Sequence, residues 1–435
     1  MKDSSMRHSA SRALALTFAL GLFAVSVLPM KAEEDDAYWH TQGNQIVDSH
    51  NRPVKISGVN WYGFETTNLV VFGLQQQDYR YILNQIRWYG YNTIRIPFSN
   101  QVVETNPVPT AISFTDANGH PINRDLQGKT ALQILDRIVR YSGKIGLKII
   151  LDNHRSEAGS SAEDSGLWYT PAYPESAWIA DWTALAWRYR HNPTVIGMDL
   201  RNEPHNAAFS GSCWTGDNAA GAIVGPATNC PIDGPQDPVT NPNPHNWPAA
   251  ATRAGNAVLA VNPNLLIFIE GVDNYADYSV SGAWNWGWNG SNLIGVTKHP
   301  VTLNVANRVV YSPHDYGPSL YQQGWFNSNT TYSSLAGVWD LYWGHVYSLN
   351  IAPVWVGEFG TPNANSDVFD TTPGSEGQWF SSLVLYIGSH QGMSWTYWAL
   401  NGNDWFALLN SNWSGVANPL KQQMLSAIQF HQFDR

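Results

Sequence analysis

The feature that most constrains the fold of this chain is a repeated alternation of short apolar runs with segments of helical periodicity. Runs such as residues 148–151 and 266–269 are almost continuously apolar, as expected of strands that are buried on both faces. The segments between these runs place their apolar residues at the spacing of amphipathic helices. The alternation therefore predicts βα units and a parallel sheet.

The number of apolar runs selects an architecture. The predicted strands cover residues 54–61, 91–98, 147–154, 195–204, 265–271, 308–316, 352–360 and 394–402. The predicted helices cover residues 78–89, 130–145, 175–190, 247–261, 335–349, 377–389 and 420–431, and the helix after the fifth strand is the least visible. This count predicts an α/β fold, a closed (β/α)8 TIM barrel that forms a single domain with long βα loops.

The alternative architecture is a doubly wound open sheet. Such a sheet needs a glycine-rich phosphate turn after its first strand, and residues 58–63 do not supply one. Apolar pairs at 46–47 and 53–54 flank a polar turn and predict a small hairpin before the first core strand. No linker to an accessory module is visible, so we expect residues 33–435 to form one catalytic domain.

Composition restricts the ligands that the chain can bind. Charged residues make up 13% of the chain, the net charge is −10, and no dense Lys/Arg run occurs, which argues against nucleic-acid partners. Aromatic residues are abundant, with 21 Trp, 20 Tyr and 15 Phe. Aromatic faces cover the apolar C–H faces of sugar rings while polar groups bind the hydroxyls. A neutral carbohydrate is the favoured substrate, and neither a cofactor nor a metal is implied.

The amino terminus has the pattern of a secretory signal. Lys2, Arg7 and Arg12 precede an apolar stretch over residues 13–28, and residues 30–32 form an acceptable cleavage site. This predicts a signal peptide over residues 1–32 and a secreted mature chain with no membrane segment. A membrane anchor is the alternative, although the apolar stretch is short for a span. We expect the mature protein to be a monomer.

Cys213 and Cys230 are the two cysteines of the chain. In an exported protein they predict a disulfide, with two free thiols as the alternative. A metal site is disfavoured because no further cysteine and no suitably spaced histidine accompany them. Both lie in the segment 205–246, which is too long for an ordinary βα loop and is predicted to lie over the active-site face.

Polar residues interrupt the predicted strands at one end, and this is the main functional signal. In a barrel the catalytic groups lie at the carboxyl ends of the strands. The residues at these ends are Arg95, Asp152, Asn153, His154, Asn202, Glu203, Glu270, His314, Asp315, Tyr316, Glu358 and Trp398. One buried polar residue is readily structural, but so many at the same end of successive strands predict an active site.

Two of these residues, Glu203 and Glu358, end the fourth and seventh predicted strands and nearly face each other across a barrel. A carboxyl pair about 5 Å apart is typical of a retaining glycosidase, whereas inverting enzymes need a wider gap. One carboxyl must be protonated and the other ionised. Arg95 is the candidate that keeps Glu358 ionised, and Asn202 is placed to bind the sugar 2-hydroxyl.

The motifs formed by residues 202–204, 357–360, 92–95 and 314–316 resemble those of glycoside hydrolase family 5, in the clan A barrels. Residues 58–66, 254–271 and 309–316 are similar to bacterial secreted endo-β-1,4-glucanases of its subfamily 1. The resemblance implies that Glu203 is the acid/base and Glu358 the nucleophile. It also implies a sugar-binding role for a group of surrounding residues: Arg95, His154, Asn202, His314, Tyr316 and, as the platform under the reacting sugar, Trp398.

Other aromatic residues are weaker candidates for the cleft. Trp61, Trp286, Trp288 and Trp405 could contact substrate or could be ordinary core or surface residues; we include Trp61 and Trp288 in the predicted site. Glu270 matches no catalytic motif of the family, so a structural role is the interpretation. His205 follows the acid/base and could line the site or lie in the loop.

The prediction is hydrolysis of internal β-1,4-glucosidic bonds in a β-glucan polysaccharide or oligosaccharide with retained configuration. Mannan, xyloglucan or mixed-linkage glucan are alternative substrates for the same site. A metal hydrolase using His154, His205 and His314 is an alternative enzyme class, but no HExxH spacing occurs. No GxSxG motif indicates a serine hydrolase. A non-catalytic sugar-binding barrel is the remaining alternative, and it would not require both glutamates.

Overall fold

Eight parallel strands form the central sheet of the protein. The structure is a computed structural model that describes residues 38–207, 211–214, 245–276 and 284–430. The strands of the sheet are β4 (Ser57–Asn60), β5 (Thr93–Ser99), β6 (Lys148–Arg155), β7 (Val195–Asp199), β8 (Leu266–Glu270), β11 (Val309–Ser312), β12 (Trp355–Val356) and β13 (Ser394–Tyr397).

Short bridges close this sheet into a barrel. The spatial order is β11-β8-β7-β6-β5-β4-β13-β12, and neighbouring strands are parallel. Parallel bridges from Tyr311 to Val354 and from His314 to Glu358 join the two ends of this order. The predicted (β/α)8 barrel is therefore confirmed. The second of these bridges places a predicted site residue beside a predicted catalytic residue at the carboxyl ends of the strands.

Helices cover the outside of the barrel with their apolar faces turned inward. The α-helices are Tyr79–Trp88, Asn100–Thr105, Ala131–Lys144, Glu175–Arg188, Trp247–Val261, Tyr332–Trp339, His345–Ser348, Asn365–Phe369, Glu376–Ser389 and Pro419–Ser426. In Ala131–Lys144 the buried residues include Ile134, Leu135 and Ile138, which is the spacing of one helical face. Among the described residues, no helix is long and apolar enough to cross a membrane.

A small three-stranded antiparallel sheet precedes the barrel, and its second and third strands form the hairpin that the sequence predicts. Strands β1 (His40–Gln42), β2 (Gln45–Val47) and β3 (Pro53–Val54) pair in order. Trp39, Ile46 and Val54 form a core with residues near the amino ends of the barrel strands, including Phe268 and Trp355. This sheet therefore covers the end of the barrel opposite the polar residues, so that the barrel interior is apolar at one end and charged at the other.

Several predicted elements differ from those observed. The predicted strand 352–360 is only two residues long, and the predicted strand 195–204 ends at Asp199. The predicted helix 335–349 is interrupted by a π-helical turn at Asp340–Gly344. Between β8 and β11 the described residues form the hairpin of β9 (Asn274–Ala276) and β10 (Trp284–Trp286) and a 3-10 helix, Ile294–Thr297.

Candidate active site

The polar residues that the sequence places at the strand ends meet at the carboxyl end of the barrel. One carboxylate oxygen of Glu203, one of Glu358 and one ring nitrogen of His314 all lie within 4.8 Å of one another. Glu203 follows β7, Glu358 follows β12 and His314 follows β11, so residues far apart in the sequence are brought together by the closure of the sheet. The separation of the two carboxylates falls in the range that leaves no room for a water molecule between them and a sugar.

Arg95 is the central cation of this end of the barrel. It lies on β5 with no exposed surface and bonds four buried carboxylates. Its partners are Asp199 at 2.8 Å, Glu270 at 3.1 Å, Asp152 at 3.2 Å and Glu358 at 2.5 Å. A buried guanidinium satisfies its five donors only if acceptors surround it. These carboxylates hold Arg95 in one orientation, and Arg95 in turn fixes Glu358.

Glu358 is held in its ionised form by its neighbours. Oε1 accepts from Arg95 Nη1, and Oε2 accepts from the Tyr316 hydroxyl at 2.8 Å. Burial raises the pKa of Glu358, but the charges of His314 and Arg95 outweigh that effect and leave the pKa below its usual value of 4.5. An ionised, hydrogen-bonded and nearly inaccessible carboxylate has the properties of a nucleophile.

His314 carries positive charge between the two glutamates. Its Nδ1 lies 3.1 Å from Glu203 Oε1 and 3.6 Å from Glu358 Oε2, and its Nε2 lies 3.2 Å from Glu270 Oε1. Burial lowers the pKa of His314, but the carboxylates of Glu270 and Glu358 raise it well above 6.5 overall. The imidazolium therefore adds to the field of Arg95 around Glu358.

Glu203 sits on a backbone that points its carboxyl into the cleft. Its φ is 49°, in the left-handed region that non-glycine residues rarely adopt. Its backbone N–H donates to Glu270 Oε2 at 2.7 Å, and its side chain stays partly exposed at 18%. Glu270, for which the sequence suggests a structural role, thus accepts hydrogen bonds from Arg95 and the Glu203 backbone and forms an ion pair with His314.

His154 and Asn202 are each oriented by a charged partner. His154 Nδ1 lies 2.7 Å from Asp152 Oδ2, and the His154 ring stacks against Trp398 with ring centroids 5.5 Å apart. Asn202 Oδ1 accepts from Arg95 Nη2 at 3.0 Å. Since a guanidinium can only donate, this bond leaves the Asn202 Nδ2 donor for the cavity that Asn202 lines.

Two concavities of about 330 and 480 Å³ adjoin at Glu203, and Tyr316 and Leu320 line both of them. Besides these residues, the first is lined by Tyr62, Glu65, Thr66, His154, Ser160, Ser161, Ala162, Asn202, Glu358, Trp398, Asp404 and Phe406. The second is lined by Asp273, Trp286, Gly287, Trp288, Asn289, Tyr321 and Gln323. Together they form a cleft that extends to both sides of Glu203, and only the first half contains Glu358.

The predicted aromatic residues divide between the cleft and the core. Trp398 lines the first half of the cleft, and Trp286 and Trp288 line the second. Trp61 differs from the expectation. It has no exposed surface, it belongs to the main hydrophobic core, and its Nε1 donates to the carbonyl of Phe72. Trp61 is therefore a core residue, and its predicted place in the site is wrong.

Several residues of the cleft were not predicted. Tyr62 follows Trp61 and stacks on Trp398 with ring centroids 5.2 Å apart; the sequence does not show which of these two neighbours faces the cleft. Glu65, Asp404 and Phe406 also line the first half of the cleft but lie in loops beyond the strand ends. Trp405, which the sequence offered as a weaker candidate, is 59% exposed and stacks on Phe406.

Part of the predicted loop segment can be placed. Cys213 is buried, and its backbone pairs with Asn246 and with Trp247 at the start of a helix. Cys230 and residues 1–32 lie outside the described residues, so the disulfide and the signal peptide stay predictions. His205 Nδ1 lies 2.8 Å from the Glu203 carbonyl oxygen, which places it beside the acid/base candidate.

The three histidines that a metal hydrolase would use, His154, His205 and His314, do not form a cluster of potential metal ligands among the described residues. In the described ranges, the groups of three or more potential ligands that lie close together are Glu203–His314–Glu358 and Asp152–Asp199–Glu270. Neither contains His154 or His205, and the second group already surrounds Arg95. The arrangement instead supports proton transfer by one carboxyl and attack by another.

Several known proteins are similar to this chain in sequence. The sequence profile of Cellulase (glycosyl hydrolase family 5) matches residues 47–404. An endoglucanase of Paenibacillus polymyxa is 40% identical to this chain, over 98% of the chain and 96% of its own length. The major extracellular endoglucanase of Xanthomonas campestris pv. campestris is 32% identical, over 91% of this chain and 72% of its own length.

Solved structures give the same result. A hyperthermophilic endocellulase from the archaeon Pyrococcus horikoshii superposes with a TM-score of 0.74 at 31% identity, over 90% of this chain and 98% of its own. A complex of an endocellulase from this archaeon with cellotetraose has a TM-score of 0.75 at 29% identity, over 90% of this chain and 98% of its own. With its barrel and its paired carboxylates, this chain belongs to glycosyl hydrolase family 5, the cellulase family, and is a glycoside hydrolase.

Proposed function

We propose that this chain is a secreted endo-β-1,4-glucanase that cleaves internal bonds of cellulose and related β-glucans with retention of configuration. Glu203 is the proposed acid/base and Glu358 the proposed nucleophile. The observation that carries the proposal is the approach of their carboxylate oxygens to within 4.8 Å, which matches the short carboxyl separation of retaining enzymes. The endoglucanases and endocellulases among its relatives support the substrate class.

In the first step, an oxygen of Glu358 attacks the anomeric carbon while the bond to the glycosidic oxygen breaks. Glu203 gives its proton to that oxygen, so the leaving sugar departs as a neutral alcohol. A glycosyl ester of Glu358 remains. In the second step, the Glu203 carboxylate takes a proton from water, and the water oxygen attacks the anomeric carbon and releases Glu358. Two inversions give net retention.

The surroundings suit each glutamate to its role. Arg95 and His314 hold Glu358 ionised before attack. The Tyr316 hydroxyl donates a hydrogen bond to Glu358 Oε2. This bond stabilises the negative charge on that oxygen whenever Glu358 is ionised during the reaction. Asn202, with Oδ1 fixed by Arg95, can donate from Nδ2 to the sugar 2-hydroxyl. Trp398 provides the flat apolar surface beneath the reacting sugar.

The two halves of the cleft have different functions in this proposal. The half that contains Glu358 must hold the sugar whose anomeric carbon is attacked. Glu203 lines both halves because it protonates the oxygen that joins the two sugars. The half with Trp286 and Trp288 therefore holds the leaving part of the chain. A cleft that continues on both sides of the scissile bond suits cleavage within a polymer.

Secretion is part of the proposal. The amino-terminal pattern over residues 1–32 is that of a signal peptide, and a relative is a major extracellular endoglucanase. We propose that residues 33–435 form one catalytic domain, that it acts as a monomer, and that a Cys213–Cys230 disulfide fastens its long loop in the oxidising exterior.

The proposal is tested by the action of the purified protein on polysaccharides. We expect the viscosity of carboxymethylcellulose to fall faster than reducing ends accumulate, with less turnover on lichenan and little on mannan. Glu358→Gln, prepared in parallel, should lose activity by at least about 10⁴-fold with an unchanged melting temperature. A matched control is Glu104→Gln, which changes an exposed glutamate. Hydrolysis that is faster on mannan, or that survives in Glu358→Gln, contradicts the proposal.

A further inference from the structure

The first half of the cleft contains a third carboxyl that the reaction does not use. Glu65 lies in the loop after β4 and is 3% exposed, yet it lines the cavity together with Tyr62, His154 and Trp398. An acidic side chain is rarely so deeply buried without a cationic partner. Its position in the half that holds the glycone sugars makes it a candidate for substrate recognition.

Hydrogen bonds and close backbone packing constrain the loop that contains Glu65. Glu65 Oε2 accepts from the Gly63 backbone N–H at 2.7 Å. Gly63 has φ 143°, and a Cβ there would meet the backbone of Val70 and Val71, so only glycine fits. The Glu65 carbonyl also accepts from Gly159 N–H, which ties this loop to the one after β6. The carboxyl is therefore held in place rather than free to turn toward solvent.

Few positive charges lie near the Glu65 carboxyl to stabilise its ionised form. Among the residues that the structure describes, no side chain donates a hydrogen bond to it. His154 is the cation that faces it, and this imidazole is already paired with Asp152 at 2.7 Å. The other titratable groups that line this cavity are Tyr62, Tyr316, Asp404 and the two proposed catalytic residues Glu203 and Glu358. The negative charge of Asp152 also acts on Glu65 and raises its pKa. Arg95 is engaged by four other carboxylates.

The charge state of Glu65 follows from these surroundings. Burial raises the pKa of Glu65 to about 7, against a smaller lowering effect of His154. At pH values below about 7 the Glu65 carboxyl is therefore mostly neutral. A neutral carboxyl has one O–H donor and can still accept the Gly63 bond, which suits it to a sugar hydroxyl in a water-poor cavity.

We propose that Glu65 is a substrate-binding residue on the glycone side of the cleft, where its protonated carboxyl donates a hydrogen bond to a hydroxyl of the bound glucan. The inference rests on the proposed function, which assigns this half of the cleft to the glycone sugars. Glu65 touches neither proposed catalytic carboxyl in the structure. Its effect should therefore fall on binding of substrate rather than on the chemical step.

The experiment compares the wild type with Glu65→Gln on an aryl β-cellobioside, 2-chloro-4-nitrophenyl β-cellobioside, whose sugars lie only on the glycone side. Between pH 5.5 and 8.5 the wild-type KM should rise by about tenfold as the O–H donor is lost. In Glu65→Gln the amide donates at every pH, so KM should stay within about twofold over the same range. Glu104→Gln should behave as wild type.

The outcomes separate the two proposals. The Gln side chain can keep the Gly63 bond, so the melting temperature of Glu65→Gln should match wild type; if the variant does not fold, the wild-type profile alone decides. A wild-type KM that does not change with pH, or an identical rise in Glu65→Gln, overturns the role of Glu65. Absence of Glu358-dependent turnover on any β-1,4-glucan overturns the proposed function, and the inference with it.

Discussion

At the scale of single residues, the proposed mechanism requires two glutamates in different protonation states. Glu358 lies next to two cations, Arg95 and His314. Among side chains of the described residues, only His314 forms a hydrogen bond with Glu203, which is also more exposed to the cleft. Two carboxyls in one pocket can do acid and nucleophile chemistry only if their surroundings differ in this way.

The acid/base role predicts a dependence on the leaving group. Glu203→Ala should lose at least about 10³-fold in kcat/KM on cellotetraose, because the departing sugar hydroxyl needs a proton. On 2,4-dinitrophenyl β-cellobioside, whose leaving group departs as an anion, formation of the glycosyl-enzyme should be nearly normal. Added azide should restore turnover and give a β-glycosyl azide, detected by NMR. An equal loss on both substrates without azide rescue would assign the proton transfer elsewhere.

The charge of His314 predicts a shift in the acid limb of the pH profile. In the proposed mechanism activity needs ionised Glu358, so kcat/KM should fall as pH drops through the pKa of this group, which lies below 4.5. His314 is the charge that lowers this pKa most. In His314→Gln the pKa should rise, and the acid limb of kcat/KM should move to higher pH by about one unit.

The control for this experiment is the melting temperature of His314→Gln across the same pH range, which should show that the protein remains folded. An acid limb at the same pH in wild type and variant would mean that Arg95, His154 and Tyr316 set the ionisation of Glu358 without His314.

Residue identity at strand ends was predictable, but side-chain direction was less so. The polar end of each strand marked Arg95, His154 and His314 because buried apolar strands tolerate charge only where charges pair. Trp61 and Tyr62 are adjacent aromatic residues directly after β4; Tyr62 faces the cleft and Trp61 is buried in the core. The sequence contains no signal for the phase of a strand whose two faces are both buried.

At the scale of elements, the loops after the strands decide the shape of the cleft. The loops after β4, β6 and β13 supply most of the first half. The segment that follows β10 and the loop after β11 supply most of the second. These loops lack periodicity, so pattern analysis could not place Glu65 or Asp404. Strand β12 contains only two residues. Isolated bridges on either side of it, from Val354 to Tyr311 and from Glu358 to His314, complete the pairing with β11.

The second half of the cleft predicts a selective effect of Trp288. This residue is 8% exposed and packs edge to face with Tyr316 and Tyr321. In Trp288→Ala, KM for cellohexaose should rise by about tenfold, because a stacking surface for the leaving sugars is lost. With an aryl β-cellobioside, KM should change less than about threefold.

The matched control is Trp88→Ala, which removes a tryptophan that is 85% exposed at the end of a helix. It should leave both KM values unchanged. Equal KM increases for cellohexaose and the aryl cellobioside in Trp288→Ala would place this tryptophan outside the leaving-sugar half.

At the scale of the whole molecule, the barrel separates stability from chemistry. The amino-terminal sheet closes one end with an apolar core, and the carboxyl ends of the strands hold the charges. The number and order of the βα units were predictable because strand and helix patterns alternate regularly. Closure of the barrel followed from the count of these units, but the residues that form the bridges between β11 and β12 were not predictable, since strand register has no local signal.

Ile46→Ala tests this separation. Ile46 has no exposed surface and packs against the residues at the amino ends of the strands, so its truncation should cost about 2–5 kcal/mol of unfolding free energy. The kcat of the folded protein should be unchanged. Chemical denaturation and initial rates measure the two effects, and Ile351→Ala, at a more exposed isoleucine, is the matched control.

The central claim is that Glu358 forms a covalent bond to the glycone sugar while Glu203 transfers the proton. Treatment with 2,4-dinitrophenyl 2-deoxy-2-fluoro-β-cellobioside slows hydrolysis of the glycosyl-enzyme and lets it accumulate. Peptide mass spectrometry of the inactivated protein should then find one fluorocellobiosyl group per chain, attached to Glu358. A label on Glu203 or on any other residue, or turnover to an α-configured product without a labelled intermediate, would contradict the account.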